Sequence, residues 1–74
     1  MVKDFPLTPL ERVMRKAGAE RVSMSSLKEM RDVMLEKADR ISMSAIAAAK
    51  HAKRSTVKRE DIALVTREDR LRNR

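Results

Sequence analysis

The sequence predicts an all-α protein with a short helix, a very long central helix and a second short helix. The central stretch, residues 24–52, has neither glycine nor proline and repeats apolar residues at every third or fourth position, which is the helical period. A shorter pattern stands on each side of it. The chain has 74 residues, so we expect a single domain over 1–74, with residues 1–6 as a lead-in and residues 67–74 as a basic C-terminal extension.

The first helix is predicted over residues 9–17. Thr8 is placed to cap it, Pro9 stands where a missing N–H costs nothing, and Glu11 has the position that completes a capping box. Gly18 favours the left-handed conformation that ends many helices.

The long helix is predicted to begin after Ser23, a good helix cap, and to end near residue 52. At about 1.5 Å per residue it is roughly 40 Å long, so it is too long to fold back on itself and too apolar to stand alone. Two copies that cross at their midpoints would cover each other, which predicts an obligate dimer. The positions expected in the dimer core are Met30, Met34, Ala38, Ile41 and Ala45.

A third helix is predicted from residues 60–61 onward. Glu60 and Asp61 suit the first turn of a helix because their charge complements the helix dipole. Ile62, Leu64 and Val65 then give this helix an apolar face. The basic extension after it is expected to continue the helix for a turn or two.

The charge of the chain favours a polyanionic partner. There are 18 Lys and Arg against 11 Asp and Glu, a net charge of +7, which favours nucleic acid first and an anionic membrane surface second. The long helix has nearly equal numbers of acids and bases, so a membrane-surface helix is discarded. Cysteine is absent, which excludes a disulfide or a thiolate metal site. We also expect no signal peptide and no membrane-spanning segment.

Two segments carry a resemblance to a known family. "LTPLERVMRKAGAERVS" (7–23) and "AIAAAKHAKRSTVKREDIALV" (45–65), with the spacing between them, resemble the archaeal histones over residues 7–66. The resemblance implies the histone fold and a head-to-tail handshake dimer with crossed long helices. It also implies that the first connector of one chain lies beside the second connector of its partner, where together they contact double-stranded DNA.

The resemblance implies DNA-contact roles for particular residues. Arg12 would insert into the minor groove, Thr56 of the paired loop would steady it, and Arg21 would meet phosphates. Lys58 and Arg15 would add charge. Ser55 stands where many archaeal histones carry a DNA-contacting lysine, and Lys53 is the candidate to replace it. Such contacts carry little sequence information.

Other residues are assigned to assembly. The resemblance implies that His51 joins Asp61 of a neighbouring dimer, at an interface where Ala48 replaces a larger apolar residue. A competing role for Asp61 is to pair with Arg54 in its own chain and fix the loop. These assignments leave wrapping, bending and bridging of DNA open, and with them a tetramer or longer assembly.

Alternative interpretations are weighed on the residues. A lone His51 makes a poor metal site, because zinc needs three or four ligands, and no catalytic base is positioned by any motif, so we expect no metal, no cofactor and no enzymatic activity. A histone-fold subunit that pairs with a different histone-fold chain is the second hypothesis. The roles of Lys37, Met24, Leu35 and Met43 stay open. We expect a cytoplasmic, chromosome-associated protein.

Overall fold

The computed structural model describes residues 4–72, without the side chains of residues 69, 71 and 72. Four helices occupy this range: α1 (Thr8–Lys16), α2 (Met24–His51), α3 (Arg59–Val65) and α4 (Arg67–Arg72). No strand occurs within residues 4–72. The predicted all-α order of short, long and short helices is confirmed. The expected lead-in and C-terminal extension lie partly outside the described residues, at positions 1–3 and 73–74.

The start of α1 differs from its prediction. Leu7, not Thr8, is the N-cap, and no side chain caps the helix. The N–H of Glu11 donates to the carbonyl oxygen of Leu7 at 3.0 Å. The predicted capping box is wrong because the Glu11 carboxylate accepts from Arg15, one turn further along, at 2.9 and 3.1 Å. An i, i+4 ion pair has therefore taken the acid that would have reached back to the cap.

The end of α1 follows its prediction. Gly18 has a φ of +116°, a conformation that residues with a Cβ rarely adopt. Its N–H donates to the Arg15 carbonyl, and the Ala19 N–H donates to the Met14 carbonyl, both at 3.0 Å. These are the two bonds of a Schellman motif, which satisfies carbonyls left unpaired at the helix end.

Both ends of α2 are locally explained. At the start, the Ser23 hydroxyl accepts from the backbone N–H of Ser26 at 3.1 Å, so the predicted cap is confirmed. At the other end, the Lys53 N–H donates to the Lys50 carbonyl at 2.8 Å and the Arg54 N–H donates to the Ala49 carbonyl at 2.9 Å. This is the same Schellman pattern as at the end of α1, but a lysine replaces the glycine.

The described chain divides into two compact units, one ending at Lys37 and the other beginning at Ala38. Leu10 and Leu27 are the buried apolar residues of the first unit, and Ala45 and Ala49 those of the second. Ala45 has no exposed surface in the single chain, and its place in the dimer core stays a prediction.

Much of the apolar surface of α2 is uncovered in the single chain. Among the described residues, no large side chain is fully buried. The exposed large apolar residues of α2 are Met24, Val33, Met34, Met43 and Ile46. A helix with apolar residues at this spacing gains stability only by burying them, so the protomer lacks the packing that its longest helix requires.

The predicted continuation after α3 is a separate helix. Thr66 interrupts the helical conformation between Val65 and Arg67. Its hydroxyl donates to the Ile62 carbonyl at 2.7 Å, and the residue is buried. A threonine that bonds the carbonyl four residues back tends to bend a helix, which accounts for the break at this position.

Candidate nucleic-acid interface

The first unit exposes basic residues on α1 and on the connector that follows it. Arg12 lies on α1, and Arg21 lies on the connector between α1 and α2. Both residues are exposed, and neither side chain bonds or pairs with the residues that the structure describes. Their guanidinium groups are therefore available to an external anion.

Arg15 is held by its own unit. Its guanidinium pairs with the Glu11 carboxylate at 2.9 Å, and a further N–H donates to the backbone carbonyl of Glu20 at 3.2 Å. These contacts join α1 to the connector that carries Arg21. A phosphate would have to compete with Glu11 for Arg15, which separates this residue from Arg12 and Arg21.

The second unit exposes a basic connector between α2 and α3. Lys53, Ser55, Thr56 and Lys58 are all exposed along it. The ammonium groups of both lysines have no bonding partner within residues 4–72. This connector therefore presents cationic and hydroxyl side chains together to solvent.

A buried carboxylate fixes the shape of the second connector. Asp61 is 3% exposed, and its two oxygens accept from Arg54 at 2.9 and 3.0 Å. The Arg54 guanidinium also donates to the Thr56 carbonyl at 3.0 Å, and the Lys58 N–H donates to Asp61 Oδ2 at 2.8 Å. The pair of Arg54 and Asp61 thus closes the connector onto the first turn of α3, where Asp61 satisfies a backbone donor.

The same contacts perturb the titration of the pair. The pKa of Asp61 is lowered from 3.8 to about 2, first by the hydrogen bonds from Arg54 and second by the bond from the Lys58 backbone. The hydrogen bonds that Arg54 donates to Asp61 also raise the pKa of the Arg54 guanidinium. Both shifts favour the charged forms, so the connector stays closed through the neutral range.

The residues assigned to assembly differ in how exposed they are. His51 is exposed at the end of α2, and Ala48 is half-buried one turn earlier. Asp61 already accepts three hydrogen bonds inside its own chain, whereas an ionised carboxylate offers about four acceptor positions. Little of Asp61 therefore remains for a neighbouring molecule.

The predicted dimer-core residues outside Ala45 retain accessible surface. Met30 and Ile41 are half-buried, and Met34 and Ala38 are exposed. Lys37, which lies between Met34 and Ala38 on α2, is exposed as well. Apolar surface of this kind in the single chain is what a helix-crossing dimer would cover.

Three features of this surface were missed by sequence reasoning. The bond from Arg15 to the Glu20 carbonyl and the left-handed Lys53 depend on backbone geometry that no residue pattern marks. The bond from the Lys58 N–H to Asp61 had a signal, because an acid three residues after a helix cap is the position that reaches back to it.

Other classes of site find no support in the described part of the chain. No group of His, Cys, Asp or Glu that could hold a metal ion occurs in residues 4–72. No helix described there is long and apolar enough to cross a membrane.

Comparison with known proteins identifies the family. Residues 3–65 match the model for "Histone-like transcription factor (CBF/NF-Y) and archaeal histone". One relative is a subunit of archaeal histone HAN1 from Thermococcus zilligii, and another is probable archaeal histone 3 from Methanocaldococcus jannaschii. Each is 41% identical to the chain over 64 residues, which cover 86% of this chain and 96% of the relative.

The match shows the family, the fold and the general role of the chain. The described helices have the order of the histone fold, which is known in this family to assemble as handshake dimers. Proteins of the family are structural and bind DNA, and they are not enzymes. With its matching segments, its helix order and its exposed basic connectors, the chain belongs to the family of archaeal histones and histone-like transcription factors.

Proposed function

We propose that the chain forms a homodimer that compacts double-stranded DNA, bending or wrapping it through phosphate contacts and an arginine in the minor groove. The observation that carries this proposal is that the basic residues fall into two groups, exposed ones without a partner within residues 4–72 and one held by an acid. Arg12, Arg21, Lys53 and Lys58 are exposed and have no bonding partner for their side chains among the described residues, whereas Arg54 is held by a buried acid.

The homodimer follows from the uncovered surface of α2. Val33 is 51% exposed and Met34 is 40% exposed, although both are large apolar residues of the central helix. In a handshake dimer, crossing a second copy of α2 over this region removes such surface from water, which is the dominant favourable term in association. A different histone-fold chain would cover it in the same way, so the identity of the partner is itself an outcome to measure.

The DNA surface is assembled from both connectors. In the handshake arrangement, Arg12 and Arg21 of one protomer lie beside Thr56 and Lys58 of the other. Arg12 enters the minor groove where it faces the protein, Thr56 steadies it, and Arg21 and Lys58 meet the adjacent phosphates. Arginine in an inward-facing minor groove is how histone octamers hold wrapped DNA.

The pair of Arg54 and Asp61 prepares this surface for binding. It keeps the second connector in one shape before DNA arrives, so fewer groups have to be ordered on binding. The contacts with phosphates carry no base information. Sequence preference then comes from how easily the DNA bends.

Assembly beyond the dimer uses His51 and Ala48 at the end of α2. Because Asp61 is engaged inside its own chain, a contact between His51 and Asp61 of a neighbouring dimer is weaker than a contact with a free acid. We propose that dimers associate along DNA through these residues, and that the protein is associated with the chromosome.

Nuclease digestion of long DNA loaded with the purified protein tests the proposal. An evenly stepped ladder of protected fragments supports dimers that associate along wrapped DNA. A single short protected length indicates an assembly that stops at the dimer or tetramer, and it contradicts the association through His51. Absence of protection at low salt would contradict DNA compaction and favour an interaction subunit of a larger complex.

Arg12 variants test the minor-groove contact separately. Arg12→Ala is expected to weaken DNA binding while the dimer stays intact. Arg12→Lys is the matched control, because it keeps the charge but loses the planar guanidinium. If the lysine variant binds like the wild type, the contact is a simple phosphate contact; a dimer lost in either variant would make Arg12 structural.

A further inference from the structure

Lys53 has a backbone conformation that residues with a side chain rarely adopt. Its φ is +60°, and no other non-glycine residue of the described chain has a positive φ. Two backbone hydrogen bonds hold it in the turn that ends α2, from its own N–H and from that of Arg54. The equivalent position after α1 is Gly18. The chain therefore has glycine at the end of one helix and lysine at the end of the next.

A lysine at this position costs stability relative to glycine. The left-handed conformation brings the Cβ too close to the following carbonyl oxygen, and only glycine avoids this contact. Residues in sparsely populated conformations cluster at binding sites, where the surrounding structure holds them in place. Here Arg54, the next residue, is bound to Asp61 and to the Thr56 carbonyl, so the turn has no freedom to relax.

The side chain of Lys53 brings no compensating contact within its own chain. It is exposed, and its ammonium group has no hydrogen bond or ion pair with the described residues. A cation near the C-terminus of a helix is favourable, but Lys50 in the last turn of α2 already supplies one. Neither packing nor the helix dipole explains why a lysine occupies this particular position.

We propose that Lys53 is a phosphate contact in which the chain gives up stability for DNA affinity. This inference rests on the proposed DNA-binding function and adds to it the reason for the strained turn. The ammonium group is carried by a turn that two backbone hydrogen bonds hold, on the same connector as the exposed Thr56 and Lys58. Binding a phosphate then orders little beyond the lysine side chain itself.

Three variants of Lys53 separate its charge from its strain. Lys53→Ala removes the charge and keeps the strain, Lys53→Gly removes both, and Lys53→Arg keeps both. Lys28→Ala, at an exposed position in the first turns of α2, is the control for loss of one positive charge elsewhere. Each variant is measured by thermal unfolding and by DNA binding across a salt series.

The glycine variant is expected to melt higher than the wild type by about 3 °C or more, because it alone relieves the backbone strain. The alanine and glycine variants are expected to bind DNA about tenfold more weakly or worse at roughly 0.1 M salt, and to lower the salt slope by about 2 for a dimer. The arginine variant should match the wild type in both measurements.

The inference is overturned if Lys53→Gly binds DNA like the wild type, or loses no more affinity than Lys28→Ala. It is also overturned if glycine leaves the melting temperature unchanged, because the turn would then carry no strain. A wild-type protein that shows no salt-dependent DNA binding would refute the proposed function itself. Normal DNA binding that does not change when Lys53 is replaced would refute only the role of Lys53.

Discussion

Replacing Met34 by alanine tests whether the midsection of α2 is buried in a dimer. The side chain is 40% exposed in the protomer, and burying a whole methionine side chain contributes about 1.5–3 kcal/mol. Burying the exposed part then contributes about 0.6–1.2 kcal/mol per protomer, and two-fold symmetry doubles this to about 1.2–2.4 kcal/mol per dimer. Met34→Ala should therefore weaken dimerisation about sevenfold to fiftyfold.

Met43→Ala is the matched control for this measurement. It changes the same residue type on the same helix, but Met43 is 65% exposed and lies outside the predicted core positions. Sedimentation equilibrium over a range of protein concentrations gives the dimer dissociation constant of each variant. Equal weakening by the two substitutions, or no weakening by Met34→Ala, would refute the assignment of the interface to this part of α2.

The remaining predictions concern acid, the protomer core, salt and assembly. Because the pKa of Asp61 is lowered from 3.8 to about 2, its stabilising contribution is present above about 3.8 and is lost as pH falls through 2; melting curves should show Asp61→Asn less stable at pH 7, with the difference from wild type shrinking below pH 4. Leu27→Ala should reduce the free energy of unfolding by about 2–5 kcal/mol, because Leu27 is only 4% exposed. Val13→Ala is the control, since Val13 is 63% exposed, and it should change the free energy of unfolding by less than about 0.5 kcal/mol. Equal free energies of unfolding for the two variants in chemical denaturation would contradict the burial pattern. DNA affinity should fall by about three orders of magnitude between roughly 50 and 200 mM salt, and a flat titration would exclude phosphate-dominated binding. His51→Ala should disturb assembly on DNA, seen by nuclease digestion, more than the affinity of a single dimer, and equal losses would remove its interface role.

Local helix signals were predictable where the residue type itself is suited to a helix end. Ser23 caps α2 through its hydroxyl, and Gly18 ends α1 in a left-handed conformation. The cap of α1 was mispredicted because Glu11 had two possible partners, a backbone N–H and Arg15. The residue pattern alone does not decide such a competition, since both partners are within reach.

The apolar stripe of α2 was predictable, but its division between the protomer and the dimer was not. Met34 and Ala45 share one stripe at helical spacing, yet one is 40% exposed and the other is fully buried in the single chain. Periodicity identifies residues that need covering and contains no information on which chain covers them. The pairing of Arg54 with Asp61 was anticipated as one of two roles for the acid, and the geometry shows that pairing directly.

In the proposed homodimer, the uncovered midsection of α2 makes the survival of a newly made chain depend on the concentration of partner chains. A chain that has not met a partner exposes Val33 and Met34, and its folded state is not favoured by mass action. Proteases act on the fraction of molecules that is open, so we expect unpaired chains to be degraded first and paired chains to persist. Low expression would then leave almost no protein, and accumulation would rise steeply once synthesis exceeds the concentration at which chains pair.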